Sequence, residues 1–393
     1  MRYAAITDRL ADLGGAKWEI HVRARAMAAA GVEILSLSIG EPDVPPPAEL
    51  LTKARQAMEA GRYAYSNGRG EPGLLAALAD RYSKRAGRVI GANQIVCLPG
   101  TQTALYAVMM ALVGPGDEVL VGDPMYATYE GVIASTGARM VPVPLRPEHG
   151  FRMQAADLAA LVTPQSRVML LNTPHNPTGA VLTRDEVQAI GQVAKDADLW
   201  IVSDEVYEEL IFGGVFASPL DEADLAERSI AVSSISKSHA APGFRSGWCV
   251  GPGGFVERLL PVAETMLFGN QPFIADMTAL AVSRPSVVAR DMAARFAARA
   301  AMIHAMLDGN HLRVHQPEAG MFTLIDVRAT GLTGEEFARR LLDEEHVAVM
   351  PGESFGKTLA GWLRVSLTRP DAEIAEACRR IAAFAGKLRE TRL

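Results

Sequence analysis

The stretch Val168-Met169-Leu170-Leu171-Asn172-Thr173-Pro174-His175-Asn176-Pro177-Thr178-Gly179 is a short apolar run ending in a polar loop that carries two prolines. Four successive apolar side chains without polar alternation fit a strand buried on both faces. Six similar runs lie around it between about Gly91 and Val250: Ile95 to Leu98, Glu118 to Val121, Arg139 to Val143, Leu199 to Ser203, Ile230 to Ser233 and Gly247 to Val250, with helical segments between them. Strands alternating with helices predict βαβ units, hence an α/β fold with a mostly parallel seven-stranded sheet flanked by helices. From about Ser286 the pattern changes to a long helix (Val288 to Leu307), a strand (Met321 to Val327), a helix (Gly334 to Glu345), strands near Val347 to Met350 and Leu363 to Leu367, and a last helix. In that last helix Ile374, Cys378, Ile381, Ala385 and Leu388 recur at helical spacing and predict an inward face. A smaller α+β domain follows from this, over residues 286-393, with a large domain over 46-285 and an N-terminal segment, 1-45, packing with the small domain.

Composition narrows the function. A chain of 393 residues can bury enough surface to need no disulfide or metal staple. A net charge of -6, without runs of Lys or Arg, argues against nucleic acid and anionic membranes as partners and favours small molecules. Cys97, Cys249 and Cys378 are odd in number and far apart, which fits reduced thiols in a cytoplasmic protein. The apolar stretch Ala104 to Val113 is too short to span a membrane, and Asp8, Asp12 and Glu19 interrupt any signal-peptide core.

In an open parallel sheet, ligands bind beyond the carboxyl ends of the strands, so the residues there carry the chemistry. After Leu98 comes Pro99-Gly100-Thr101-Gln102, opening a helix: free N–H groups, a hydroxyl and the helix dipole suit a phosphate, with a plain cap by Thr101 as the alternative. After Leu171, the X-Pro dipeptides predict an extended, rigid loop in which Asn176 presents its amide. Ser203 leads into Asp204, Glu205, Val206 and Tyr207, where a carboxylate at the end of a buried strand calls for a cationic partner, or for a helix to cap. Ser233 leads into Ser234-Ile235-Ser236-Lys237, then Gly243, Phe244 and Arg245. There Lys237 lies among small and hydroxylic residues with no carboxylate nearby in sequence, the setting of a deprotonated, nucleophilic amine, with a solvated surface lysine as the alternative.

Taken together, Asn172 to Gly179, Ser203 to Tyr207 and Ser234 to Arg245 resemble a fold-type I, pyridoxal-phosphate-dependent class I/II aminotransferase of the aspartate aminotransferase superfamily. The resemblance runs from Leu37-Ser38-Ile39-Gly40-Glu41-Pro42-Asp43 to Arg364-Val365-Ser366-Leu367. It implies transfer of an amino group from an amino acid to a 2-oxo acid by a ping-pong route, with pyridoxal 5'-phosphate held by Lys237 as a Schiff base. It further implies that Lys237 shuttles the substrate proton and that Asp204 keeps the pyridine nitrogen protonated. Asn176 and Tyr207 would bond the ring hydroxyl oxygen, and Tyr126 would stack on the ring. Gly100, Thr101, Gln102, Ser234 and Arg245 would form the phosphate cup; Arg364, with Gly40 and Asn176, would hold the substrate carboxylate. Tyr65 matches a tyrosine that the family lends to the neighbouring subunit's phosphate, which implies a homodimer with shared active sites.

Departures from the family pattern carry information too. Where Leu-Arg is usual after Gly70, the chain reads Leu74-Leu75, and Phe268-Gly269-Asn270-Gln271 offers no arginine for a distal carboxylate, against aspartate specificity. Met1-Arg2-Tyr3, Trp18-Glu19-Ile20-His21 and Asp123-Pro124-Met125-Tyr126 resemble the arginine:pyruvate transaminase branch, with Glu19 expected near the substrate entrance to pair with a cationic side chain. Gly68-Arg69-Gly70-Glu71-Pro72-Gly73 matches a dinucleotide fingerprint but follows no clear strand, which weighs against a nicotinamide dehydrogenase. Gly352 to Thr358 is one residue short of a nucleotide phosphate loop. An effector sensor would need a DNA-binding module, for which the residues before Gly40 leave no room. A β-elimination lyase on the same site is the nearest alternative reaction.

Overall fold

The structure is a computed structural model and describes residues 1–390 apart from Asp12, Gly14, Gly15, Phe268 and Asn310. The expectations placed on Asp12 and Phe268 therefore lie outside the described residues. Thirteen strands form among the described residues: β1 (Leu35–Ser36), β2 (Ile95–Leu98), β3 (Glu118–Asp123), β4 (Arg139–Pro144), β5 (Ser166–Asn172), β6 (Trp200–Asp204), β7 (Ser229–Ser234), β8 (Gly247–Val250), β9 (Arg313–His315), β10 (Phe322–Asp326), β11 (Val347–Ala348), β12 (Met350–Pro351) and β13 (Trp362–Ser366). Strands β2 to β8 build one seven-stranded sheet in the order β2-β8-β7-β6-β5-β3-β4. Only β8 runs antiparallel to its neighbours. The fold is thus the α/β sheet that the apolar runs predict.

Successive strand residues point to opposite faces, and both faces are covered. Val119, Val121, Val168, Leu170, Val202, Ile230 and Val232 pack under the helices Gly100–Leu112 and Gly253–Met266. Their neighbours Leu120, Met169, Leu171 and Ile201 pack on the other side, under Arg184–Asp196. Cys97, Ala231 and Trp248 meet the helices Pro72–Ala86 and Pro272–Val282. Each such Val, Leu or Ile contributes about 1.5–3 kcal/mol when fully buried. The sheet's two-sided burial explains why its strands read as continuous apolar runs.

The remainder forms a four-stranded antiparallel sheet, β12-β13-β10-β9, backed by the helices Val287–Leu307 and Asp371–Glu390. The expected inward face of the last helix, from Ile374 to Leu388, is buried in this core. Near the other terminus, β1 pairs in parallel with β11, Leu35 opposite Val347. Buried Arg299 adds a second tie, donating to Asp43 and to Asp371 at 2.7 Å each. Among the described residues, no helix is long and apolar enough to cross a membrane.

The glycine-rich run at Gly68 leads from a turn, not a strand, into the helix Pro72–Ala86, so the geometry of a dinucleotide fingerprint is absent there. In that helix Leu75 is 6 % exposed and packs with Leu74, Cys97 and Ile274, filling core where the family pattern has arginine. The loop after β5 departs from the extended path expected of it. His175 N donates to Ala180 O at 2.9 Å and Gly179 N to His175 O at 2.7 Å, closing a turn, with Thr173–Pro174 and Asn176–Pro177 cis.

Candidate active site

Four strands of the large sheet end in polar residues, and the ends of three meet the start of one helix around a single cavity of about 220 Å³. Asn172 closes β5, Asp204 closes β6, Ser234 closes β7, and Gly100 begins the helix that follows β2. From the small sheet, Arg364 on β13 and Phe322 on β10 line the same space, and the N-terminal segment supplies Ile39, Gly40 and Trp18. Of the residues expected from sequence, Gly40, Gly100, Thr101, Gln102, Tyr126, Asn176, Asp204, Tyr207, Ser234, Lys237, Arg245 and Arg364 come together here although gly-to-arginine separations in sequence are large; Gly100 is adjacent through Arg245. Tyr65 stands apart, 98 % exposed on the surface of the chain. Glu19 is exposed and starts a helix, while its neighbour Trp18 faces the cavity.

Lys237 lies in the short helix Ile235–Ser238 and its Nζ donates to Gly40 O at 3.0 Å. Burial, with help from the nearby Arg364 and Arg245 guanidinium groups, pushes its pKa down to about 8, against an opposing pull from Glu41. Through space, then, a carboxylate does stand near this lysine. At pH 7 about a tenth of the amine is then neutral, far more than for an ordinary lysine, and that fraction is the nucleophile.

Asp204 is 4 % exposed and follows no helix-capping geometry. Its Oδ1 accepts from Val206 N at 3.2 Å and its Oδ2 from the Tyr129 hydroxyl at 2.7 Å. Burial pushes its pKa up to about 6, and these two donors pull it down. Asn172 locks the strand end, its Nδ2 donating to Asp204 O at 3.0 Å while its Oδ1 accepts from Asn176 N at 2.7 Å. Asn176 Nδ2 in turn donates to the Tyr207 hydroxyl at 3.4 Å.

Arg364 is 2 % exposed, sandwiched between the Phe322 and Phe355 rings with its guanidinium carbon 3.9 and 4.3 Å from their centroids. Its terminal nitrogens reach Ser38 O at 2.8 Å and Asn176 Oδ1 at 3.3 Å, and Nε has no partner. Burial lowers its pKa to about 10, which still leaves it charged near neutrality. An aromatic-clamped guanidinium with spare donors suits a carboxylate.

At the other end, the Thr101 hydroxyl is buried without a partner, so it does not cap its helix. Gly100 has φ +82°, and a Cβ there would come within 2.2 Å of Arg245 Nη2. Glycine lets the guanidinium lie against the helix start, where backbone N–H groups and dipole already favour an anion. Arg245 itself is exposed at the rim, donating to Pro242 O at 2.8 Å. Ser234 Oγ accepts from Ser236 N at 3.3 Å. These features fit a phosphate at one end and a carboxylate at the other, with an amine and an acid between. Sequence reasoning missed Tyr129, Asn172, Trp18 and Phe322, whose roles depend on contacts with residues remote in the chain.

An α/β sheet of this topology with such a cavity at its carboxyl edge defines a fold-type I transferase. The chain belongs to the aminotransferase class I and II family, whose family model matches residues 32–381. It is 45% identical over 390 residues to the arginine–pyruvate transaminase AruH of Pseudomonas aeruginosa, with 99% of each chain covered. Among solved structures, the Pyrococcus protein-A1 superposes with a TM-score of 0.92 at 29% identity, covering 98% of this chain and 99% of that one. Aspartate aminotransferase from Thermus thermophilus with maleate superposes at 0.91, with 27% identity and 98% and 100% covered. The protein is therefore a transaminase, moving an amino group between an amino acid and a 2-oxo acid, in a family that works with pyridoxal 5'-phosphate.

Proposed function

We propose that this transaminase binds pyridoxal 5'-phosphate in the cavity around Lys237 and takes a basic amino acid, arginine foremost, as donor with pyruvate as acceptor. The observation that carries the cofactor assignment is the pair of unpartnered buried groups at opposite ends of the cavity, Thr101 Oγ1 and Arg364 Nε, with Lys237 and Asp204 among the residues lining it. Gly100, Thr101, Gln102, Ser234 and Arg245 would hold the phosphate, Asn176 and Tyr207 the ring hydroxyl oxygen, and Tyr126 the ring face. Asp204, as a carboxylate, would hold a proton on the ring nitrogen. Once bound, the cofactor supplies an electron sink for the bonding pair of the substrate Cα–H bond. Lys237 Nζ would hold the cofactor by its aldehyde carbon and, when displaced by substrate, accept the proton from the substrate Cα. Arg364, with Asn176 and the Gly40 backbone, would orient the α-carboxylate so that this bond faces the amine.

The basic donor rests on the likeness to the arginine–pyruvate transaminase, and Gly269, Asn270 and Gln271 bring no arginine for a second carboxylate. A homodimer is supported by Tyr65 and Tyr63, 98 % and 74 % exposed, beside a surface hollow of about 540 Å³ shared with Met266 and Leu267. The pairing of β1 with β11 supports an N-terminal segment, 1-45, that moves with a small domain, 286-393, against a large one, 46-285. A cytoplasmic setting fits three free, buried cysteines. The test is a panel of amino donors against pyruvate and 2-oxoglutarate. The reading expects arginine with pyruvate to give the highest kcat/KM, and a preference for aspartate with 2-oxoglutarate would overturn it.

A further inference from the structure

Tyr129 lies at the first residue of the helix Tyr129–Thr136 and is 1 % exposed. Its backbone N donates to Tyr126 O at 3.0 Å, and the two rings meet edge to face, centroids 5.6 Å apart at 84°. One turn therefore carries both aromatic side chains into the cavity wall. Thr128 in the same turn donates to Gln102 Oε1 at 2.8 Å, tying it to the helix at the phosphate end. Burial and the adjacent Asp204 charge hold the Tyr129 phenol well above its ordinary pKa, so its hydroxyl stays protonated and can only donate to the carboxylate.

We propose that Tyr129 is a positioning residue for the cofactor's ring nitrogen, its hydroxyl fixing the orientation and the ionised form of the Asp204 carboxylate. Oδ1 is held by Val206 N and Oδ2 by the Tyr129 hydroxyl, so each oxygen of Asp204 has one fixed donor and keeps lone pairs for a third. A carboxylate held from two sides cannot rotate away when the cation it faces is absent, and the site is preorganised. A donor to the charged form also offsets part of the burial cost that would protonate it. Without that bond, the buried acid would favour its neutral form, which cannot pair with a protonated ring nitrogen. Tyr129 also borders a second small cavity of about 30 Å³, lined by Val121, Leu145, Leu170 and His175, and phenylalanine, smaller by only the hydroxyl, fits the same space.

The inference rests on the reading that the cavity takes pyridoxal 5'-phosphate, and the experiment separates the two. Apoprotein is titrated by absorbance with pyridoxal 5'-phosphate and with its 1-deaza analogue, in which CH replaces the ring nitrogen. If the wild type binds neither, the cofactor reading fails first. For Tyr129→Phe we expect Kd for pyridoxal 5'-phosphate to rise about tenfold while Kd for the deaza analogue stays within about twofold, because only the nitrogen engages Asp204. Equal losses on both ligands would reduce Tyr129 to a packing residue and overturn the proposal, as would no loss on either. In an Asp204→Asn background the Tyr129→Phe change should add nothing to Kd, and a further loss of about tenfold there would also contradict it. Melting of each apoprotein verifies that the variants are folded.

Discussion

Burial sets the charge state of the single residues in this protein as strongly as their partners do. Lys237, held near a pKa of about 8, should capture cofactor at a rate that rises with pH up to about 8 and then flattens; a rise continuing toward the ordinary lysine value would show an unperturbed amine. Arg364 is clamped between two rings and forks toward the cavity, so Arg364→Lys keeps the charge and loses the fork. Steady-state kinetics should then show kcat/KM down by about 10- to 100-fold across all amino donors. His175 and His315 are both pushed down to about 4 by burial. The unfolded chain, whose histidines titrate near 6.5, binds protons first as the pH falls, so stability drops between about 6.5 and 4 by on the order of 3 kcal/mol per histidine. Melting followed across that range tests this, with His175→Gln expected to flatten part of the slope. At this scale the sequence announced the residues that end strands, Asp204 and Ser234, and the lysine beyond. It could not announce Tyr129, because a tyrosine in the turn after an Asp-Pro pair looks the same whether its hydroxyl meets solvent or a buried carboxylate.

Elements position these residues through ties that lie behind the site. Directly after Asp204, Glu205 is wholly buried, and Arg85 from the helix Pro72–Ala86 sits 2.9 Å from it and 2.6 Å from Glu208, with Asp221 at 2.9 Å. The arginine thus pins that helix to the exit of β6. Arg85→Met should cost about 3–5 kcal/mol in denaturant unfolding, since it strands buried carboxylates without a partner. A cost below 1 kcal/mol would show that those carboxylates simply take up protons. The seven strands of the large sheet were legible to within one or two residues, because two-sided burial leaves an unmixed apolar run. β9, only Arg313–His315, was not: three residues with a single apolar one among them carry no pattern. The loop after β5 was legible as rigid but misread as extended, since the bonds that close it join residues around Gly179, whose φ of +73° only glycine adopts easily.

For the whole molecule, one chain brings the residues lining the cavity together, and Tyr65 lies outside it. If two copies share sites, size-exclusion chromatography with light scattering should give a dimer, and Tyr65→Ala should weaken cofactor retention while leaving the fold intact; a monomer with full activity would contradict this. The order of the motifs along the chain was legible as a family resemblance, and the family holds. The convergence of Gly40, Lys237 and Arg364 was not legible from spacing, since it is made by β1 pairing with β11 and by β13 lying over the edge of the large sheet. Amino transfer by Lys237 and the residues around it on a bound cofactor is open to direct test. The most direct measurement is the visible absorbance of the purified protein as arginine alone, and then pyruvate after removal of the arginine, is added. We expect a band that shifts with the amino acid, returns with the 2-oxo acid, and is missing together with turnover in Lys237→Ala. A spectrum indifferent to both additions, or undiminished turnover in that variant, would contradict it.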